Sequence, residues 1–217
     1  MRGTAIPIRK LPNAFYPSYR PMRKAIQQRT LETRSRLTSV ADKLVAEKGF
    51  EALRIEEVVL RAGVAKGTFF AHFKDKDELM DLLIGERIAG LLDRMDTGPG
   101  PRDPDQLAKR LMPLVALMSS ERYVFDVILR RSGAMALEEI GPIALSFGRL
   151  GEIIGKWLSQ GSFRKDVSIE ILVQGVEAFL VQTLALNFCA LHKDQAMKAR
   201  LQPYLRAWLS PTVGPSN

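Results

Sequence analysis

Between Arg54 and Leu79 the chain reads RIEEVVLRAGVAKGTFFAHFKDKDEL, and the spacing within this stretch restricts the fold more than any other feature. Ile55, Val58, Val59 and Ala62 recur at helical intervals, so Ile55 to Ala62 should form a short helix with one apolar face. Gly63-Val64 breaks it, and a second short helix is expected from Lys66 to Phe73. Phe69 and Phe73 lie four apart on one face of that second helix and should anchor it to a core. Val64 fills the turn beneath. Two short helices joined by a tight glycine-containing turn make a helix-turn-helix, whose second helix can enter the major groove while the first braces it. Lys66, Phe70 and Ala71 then occupy the outward face, and His72 and Lys76 flank it where phosphate contacts are expected. Gly67, with no side chain, lets the helix approach either its partner helix or DNA closely. In isolation Phe-Phe-x-His-Phe reads more readily as a plain core helix, so the surroundings decide.

Upstream, Leu37, Val40, Ala41, Leu44 and Val45 follow an i, i+3, i+4 pattern, an amphipathic helix stopped by Gly49. Residues 1–29 contain Pro7, Pro12, Pro17 and Pro21 with no sustained period, and read as a basic, irregular arm. Order is expected from Thr30–Thr33. Downstream, Asp75-x-x-Glu78 is a capping-box-like start for a long helix to about Asp96, with Leu79, Leu82, Leu83 and Ala89 as its apolar stripe. Gly90 is the mid-helix position where a bulky side chain is expected to disturb function. Thr97-Gly-Pro-Gly-Pro-Arg-Asp is a linker. Further helices are expected near 104–119, 121–133, 142–160, 168–190 and 194–209. The chain therefore reads as all-α. It divides into a basic arm (1–29), a helix-turn-helix domain with its connecting helix (30–96) and a helical domain (104–210).

Charge and composition narrow the partner. The formal net charge is +8 over 217 residues. Residues 1–36 carry nine bases (Arg2, Arg9, Lys10, Arg20, Arg23, Lys24, Arg29, Arg34 and Arg36) against Glu32, and so hold the whole excess. Such a balance favours an anionic partner, nucleic acid first and an anionic membrane surface second. The single cysteine, Cys189, fits a reducing cytoplasm and excludes a disulfide framework or a multi-cysteine zinc site. No apolar run is expected to reach the ~20 residues of a membrane span.

The stretch from Arg34 to Leu79 resembles the N-terminal domain of the tetracycline-repressor (TetR) family of bacterial transcription regulators. Three segments carry the likeness: Glu47-Lys48-Gly49-Phe50, the run Ala62 to Phe73, and Asp75-Lys76-x-Glu78-Leu79. The resemblance implies phosphate contacts from Lys66, His72 and Lys76, and base or backbone contacts from Thr68 and the face at 66–71. Arg34 joins these as a candidate DNA contact. Three departures bear on the contacts. Ala65 stands where the family has a capping Ser or Thr, a local loss of about 1 kcal/mol. Phe70 replaces a tyrosine and lacks its hydroxyl. Arg54 replaces a capping Thr or Ser, and could pair with phosphate itself.

The resemblance also assigns the second domain to ligand binding and dimerisation, with two helices per subunit at the interface. The last two helices suit that role: Leu172, Gly175, Val176, Phe179, Leu205 and Trp208 are the expected interface. Met112, Met118, Phe125, Leu129, Phe147, Trp157 and Phe179 are the expected walls of a pocket for a small effector, because Met and aromatic side chains accept varied apolar shapes. Catalysis has little to build on. His72 belongs to the helix-turn-helix, His192 adjoins Lys193, Cys189 has no evident base, and adjacent Glu138 and Glu139 point apart on a helix. No cofactor or metal is expected. The reading is a homodimeric, ligand-responsive regulator that binds a double-stranded operator in the cytoplasm, with no membrane role. The alternative is a basic-tailed helical protein of RNA or membrane surfaces.

Overall fold

The computed structural model describes residues 19–132, 140–189 and 196–211. Among these the chain is all-helical: α1 (Tyr19–Lys48), α2 (Ile55–Ala62), α3 (Lys66–Phe70), α4 (Lys76–Met95), α5 (Pro104–Met118), α6 (Arg122–Arg131), α7 (Pro142–Gln160), α8 (Ile169–Asn187) and α9 (Met197–Leu209). Residues 1–18 of the expected arm, Glu138, Glu139 and His192 lie outside the described residues.

Helix α1 starts well before the expected Thr30. The proline expected to keep the arm irregular, Pro21, is its third residue, where the missing N–H has no intrahelical partner to lose. Residues 19–29 are thus helical. Leu37, Ala41 and Leu44 from α1, Val58 from α2, Phe69 and Phe73, and Leu79 from α4 are all 1% exposed or less and form the core of the first three-helix unit. Helix α4 opens on a reciprocal cap: Asp75 Oδ1 accepts from the Glu78 N–H at 2.8 Å, and Glu78 Oε2 accepts from the Lys74 N–H at 2.6 Å. It then runs out of that unit and packs chiefly on α7.

The close approach of α4 to α7 falls at Gly85, where a Cβ would lie 2.5 Å from Pro142 Cβ. At Gly90 it would meet only the Arg94 guanidinium at 3.7 Å, so the sensitive glycine is Gly85 rather than Gly90. The buried Asp81 sits beside this crossing and caps α7 from outside its own helix, accepting from the Ile143 N–H at 3.0 Å.

The linker is not a loose tether. Pro101 is buried, a Cβ at Gly100 would lie 2.6 Å from Trp157, and Arg110 donates to the carbonyls of Met95 and Pro99 at 3.1 and 2.8 Å. Asp103 caps α5 by accepting from the Gln106 N–H at 2.8 Å.

Helix α8 corrects the expectation about apolar runs. Its 19 residues include an 18-residue window of mean hydropathy 1.6, enough by length and composition to cross a membrane, and only 28% of that window is buried. The helix packs on α7, α9 and α5, and it leaves Ile169, Ile171 and Val181 exposed.

Candidate nucleic-acid interface

Helix α2 ends on Gly63 in the left-handed conformation, φ 64°, and the Val64 N–H reaches back to the Val59 carbonyl at 3.0 Å. Only a residue without Cβ takes that conformation freely, and this sets the angle between α2 and α3. Helix α3 begins at Lys66, preceded by Ala65, which gives no side-chain cap, and ends at Phe70 rather than Phe73. The helical hydrogen bond from the Phe73 N–H to the Phe69 carbonyl nevertheless persists at 2.9 Å. Phe69 and Phe73 therefore remain one turn apart and face inward together.

The opposite face of α3 is open. Lys66, Gly67, Phe70 and Ala71 are exposed, and Thr68 and His72 are partly so. A Cβ at Gly67 would meet nothing within 4 Å, which removes packing against α2 as the reason for this glycine. The four expected cations differ in their surroundings. Arg54 is exposed, with its guanidinium on the Glu51 and Leu53 carbonyls at 2.8 and 3.3 Å. Lys66 reaches back to Glu56 at 2.6 Å, holding that carboxyl below its usual range. Arg34 donates to the His72 carbonyl, lies 4.1 Å over the Phe73 ring and is 3.7 Å from Glu78. It thus ties α1 to the end of the recognition segment.

Lys76 is half-buried, its ammonium 3.4 Å from the Glu51 carbonyl and 4.6 Å over the Tyr123 ring of α6. Burial, then the nearby Arg54 charge, lowers its pKa. Lys76 and Arg34 are thus the less exposed of the four cations, whereas Lys66 and Arg54, with Phe70, lie exposed.

One device was not visible in the sequence. The Glu121 carboxylate, just before α6, accepts from the Phe50 and Glu51 N–H groups, each at 2.8 Å. The α1–α2 turn admits it because Gly49 has φ 86° and no Cβ; a methyl there would lie 2.8 Å from Glu121 Oε1. Asp77 at the head of α4 also binds Arg130 at 2.9 Å and the Tyr123 hydroxyl at 3.3 Å. Helix α6 thus grips the helix-turn-helix unit at two points. No spacing rule links Glu121 to Phe50 across 71 positions, so pattern reading had no route to it.

In the second domain, Met118, Phe125, Leu129 and Phe147 line one cavity of about 230 Å³ between α5, α6, α7 and α8, together with Glu177. Three expected walls lie elsewhere. Met112 packs half-buried on the core, Trp157 lies under the linker, and Phe179 stacks on Tyr204 at 5.0 Å and meets Trp208 edge-on at 6.1 Å. Of the expected dimer residues, Leu172, Val176 and Leu205 are spent inside the protomer, and Gly175, Phe179 and Trp208 are partly buried. Leu172, Val176 and Leu205 are 1% exposed or less, and the Trp208 indole covers Gly175 and donates to the Leu172 carbonyl at 3.1 Å. They clamp α8 to α9, and the large apolar side chains left exposed on α8 are Ile169, Ile171 and Val181. A wider cleft, about 790 Å³, lies under the linker and is lined by Arg94, Arg102, Lys109 and Arg110.

Comparison with known proteins agrees with this geometry. A family model described as bacterial regulatory proteins, tetR family, matches residues 37–83. The fatty acid metabolism regulator protein of Bacillus subtilis is 21% identical over 154 residues, covering 68% of this chain and 79% of that protein. Four other curated bacterial regulators match over 49 to 93 residues, spanning 17% to 43% of their own length. Among solved structures, the Thermus thermophilus FadR repressor bound to lauroyl-CoA superposes with a TM-score of 0.59 at 20% identity, covering 85% of this chain and all of that one. RolR bound to resorcinol superposes with a TM-score of 0.56 at 23% identity, covering 82% and 89%. At these identities the structures establish the shared fold, and the curated relatives are regulators of transcription rather than enzymes. Residues 37–83 thus match the tetR family of bacterial regulatory proteins, and they are set on an all-helical body with the fold of these solved regulators.

Proposed function

We propose that this protein is a dimeric repressor that holds a near-palindromic operator through α3 of each protomer and leaves it when a small, largely apolar molecule enters the second domain. The observation that carries this reading is the two-sidedness of α3, with Phe69 and Phe73 sealed inside and Lys66, Gly67, Phe70 and Ala71 outside. Residues 30–96 serve as the DNA-binding unit, with Arg54, Thr68 and His72 flanking the reading face. Residues 104–210 bind the effector and a second protomer. Lauroyl-CoA and resorcinol, bound to the two structural relatives, support a ligand role for the second domain. A second copy on the exposed side of α8 accounts for the low burial of so apolar a helix, and two-fold symmetry suits a palindromic site. The bases of residues 1–29 add affinity along the phosphate backbone, in the reducing interior of the cell. Glu121 and Asp77 carry the ligand signal to the helix-turn-helix, because α6 contributes to the cavity and also holds the α1–α2 turn.

The test compares affinity for a duplex selected from random DNA with affinity for random duplex, single-stranded RNA and anionic vesicles over a salt series. The selected duplex should bind two protomers and at least a thousandfold more tightly than random duplex. Equal affinity for RNA or vesicles would favour the basic-tail alternative.

A further inference from the structure

We propose that the effector of this protein is a compact apolar molecule bearing a positive charge, and that Glu177 is the residue that selects the charge. The inference rests on the ligand-responsive reading and names the class of ligand. Glu177 projects from α8 at the point where the 230 Å³ cavity meets a second hollow of about 460 Å³ between α7 and α8; Ser132, Phe147 and Glu177 line both. Its carboxylate is seated over Gly151 of α7, where a Cβ would come within 3.2 Å of Oε1. Among the described residues it has no hydrogen bond and no ion pair, and neither hollow is lined by a lysine or an arginine.

That is unusual within this chain. Thirteen ion pairs are formed by the described residues, and the one arginine on the facing stretch of α7, Arg149, is already held by Asp93 at 2.7 Å. A partly buried carboxylate gives up hydration, and without a counter-charge that loss is not recovered. Burial raises the pKa of the Glu177 carboxyl, and among the described residues no cation lines either hollow to offset it. The other polar groups of the second hollow, Glu170, Gln174 and Ser132, are acidic or neutral. The remaining wall is apolar and includes Met118, Phe125, Leu129 and Phe147. Aromatic faces attract an organic cation, and a thioether accommodates its apolar body. A neutral ligand would leave the carboxylate unpaired, and an anionic one would be repelled by it.

The test uses the full chain and three probes: benzyltrimethylammonium, its uncharged isostere neopentylbenzene, and phenylacetate, each measured by ligand-detected NMR. The cation should bind at least tenfold more tightly than the neutral isostere, and phenylacetate more weakly than either. Glu177→Gln, which keeps shape and removes charge, should bring cation and isostere within about twofold of each other while the isostere binds as before. Absence of cation binding, equal affinity for cation and isostere in the wild type, or a preference that survives in the Gln variant would each overturn the inference. Operator binding by the wild type separates this failure from failure of the broader reading. A chain that binds operator without the charge preference keeps its DNA-binding role and loses only this assignment.

Discussion

Phe69, Phe70 and Phe73 are one residue type in three positions of a single segment, and the fold gives them opposite tasks. Phe69 and Phe73 are 0% and 1% exposed, while Phe70 is 48% exposed at the edge of the Phe69 ring. Phe69→Ala should cost about 3–5 kcal/mol, as for any large buried aromatic. Phe70→Ala should change stability by less than about 0.5 kcal/mol yet lower operator affinity several-fold. Thermal unfolding and fluorescence anisotropy on the two variants check the pair.

Asp81 offers a second residue-scale prediction. Burial pushes its carboxyl above the ordinary aspartate range, against the Ile143 N–H and the Arg131 charge, which act the other way. A carboxyl raised in the folded state favours folding when protonated. Its contribution is complete below the unfolded pKa and is lost as pH rises through the folded value. Asp81→Asn keeps an acceptor for Ile143 and has no charge to lose. It should therefore unfold at a higher temperature than the wild type at neutral pH, with the gap closing as pH falls through the folded pKa, in melts recorded across a pH series.

Elements were legible where the signal is local. The periods of α2 and α4, the stop at Gly63 and the cap at Asp75 depend on residues within a few positions of one another. The reading failed where distant residues decide. Trp157 looks like a pocket wall in sequence, but the folded-back linker covers it. Leu172 and Val176 look like an interface, but α9 takes that face. Pro21 looks like a breaker, but a first-turn proline costs nothing. The Glu121 clamp belongs to this group, and it is the element most open to test. Its carboxylate binds two N–H groups of the α1–α2 turn, so Glu121→Ala should cost on the order of 1–2 kcal/mol, with Glu121→Gln intermediate. Urea unfolding measures the cost. The same Ala variant should weaken the effect of ligand on operator affinity, because one of two grips between α6 and the DNA-binding unit is gone.

Across the whole molecule the proposed mechanism is one of spacing. Half-sites recur about 34–36 Å apart, and α4 runs from the cap beside the recognition segment to the linker, crossing α7 at Gly85. On the proposed reading, a ligand that moves α6 or α7 moves α3 without touching DNA. The energy needed is small: a coupling of about 1–3 kcal/mol gives 5–150-fold weaker binding.

The most direct test of this account is selection of duplexes from a random pool by the full chain, followed by affinity measurement with a Lys66→Ala, Phe70→Ala double variant of intact fold. The account predicts enrichment of an inverted repeat with half-site centres about one helical turn apart, and at least tenfold weaker binding of it by the variant. No enriched repeat, or equal affinity of variant and wild type, would contradict the assignment of α3 as the reading helix.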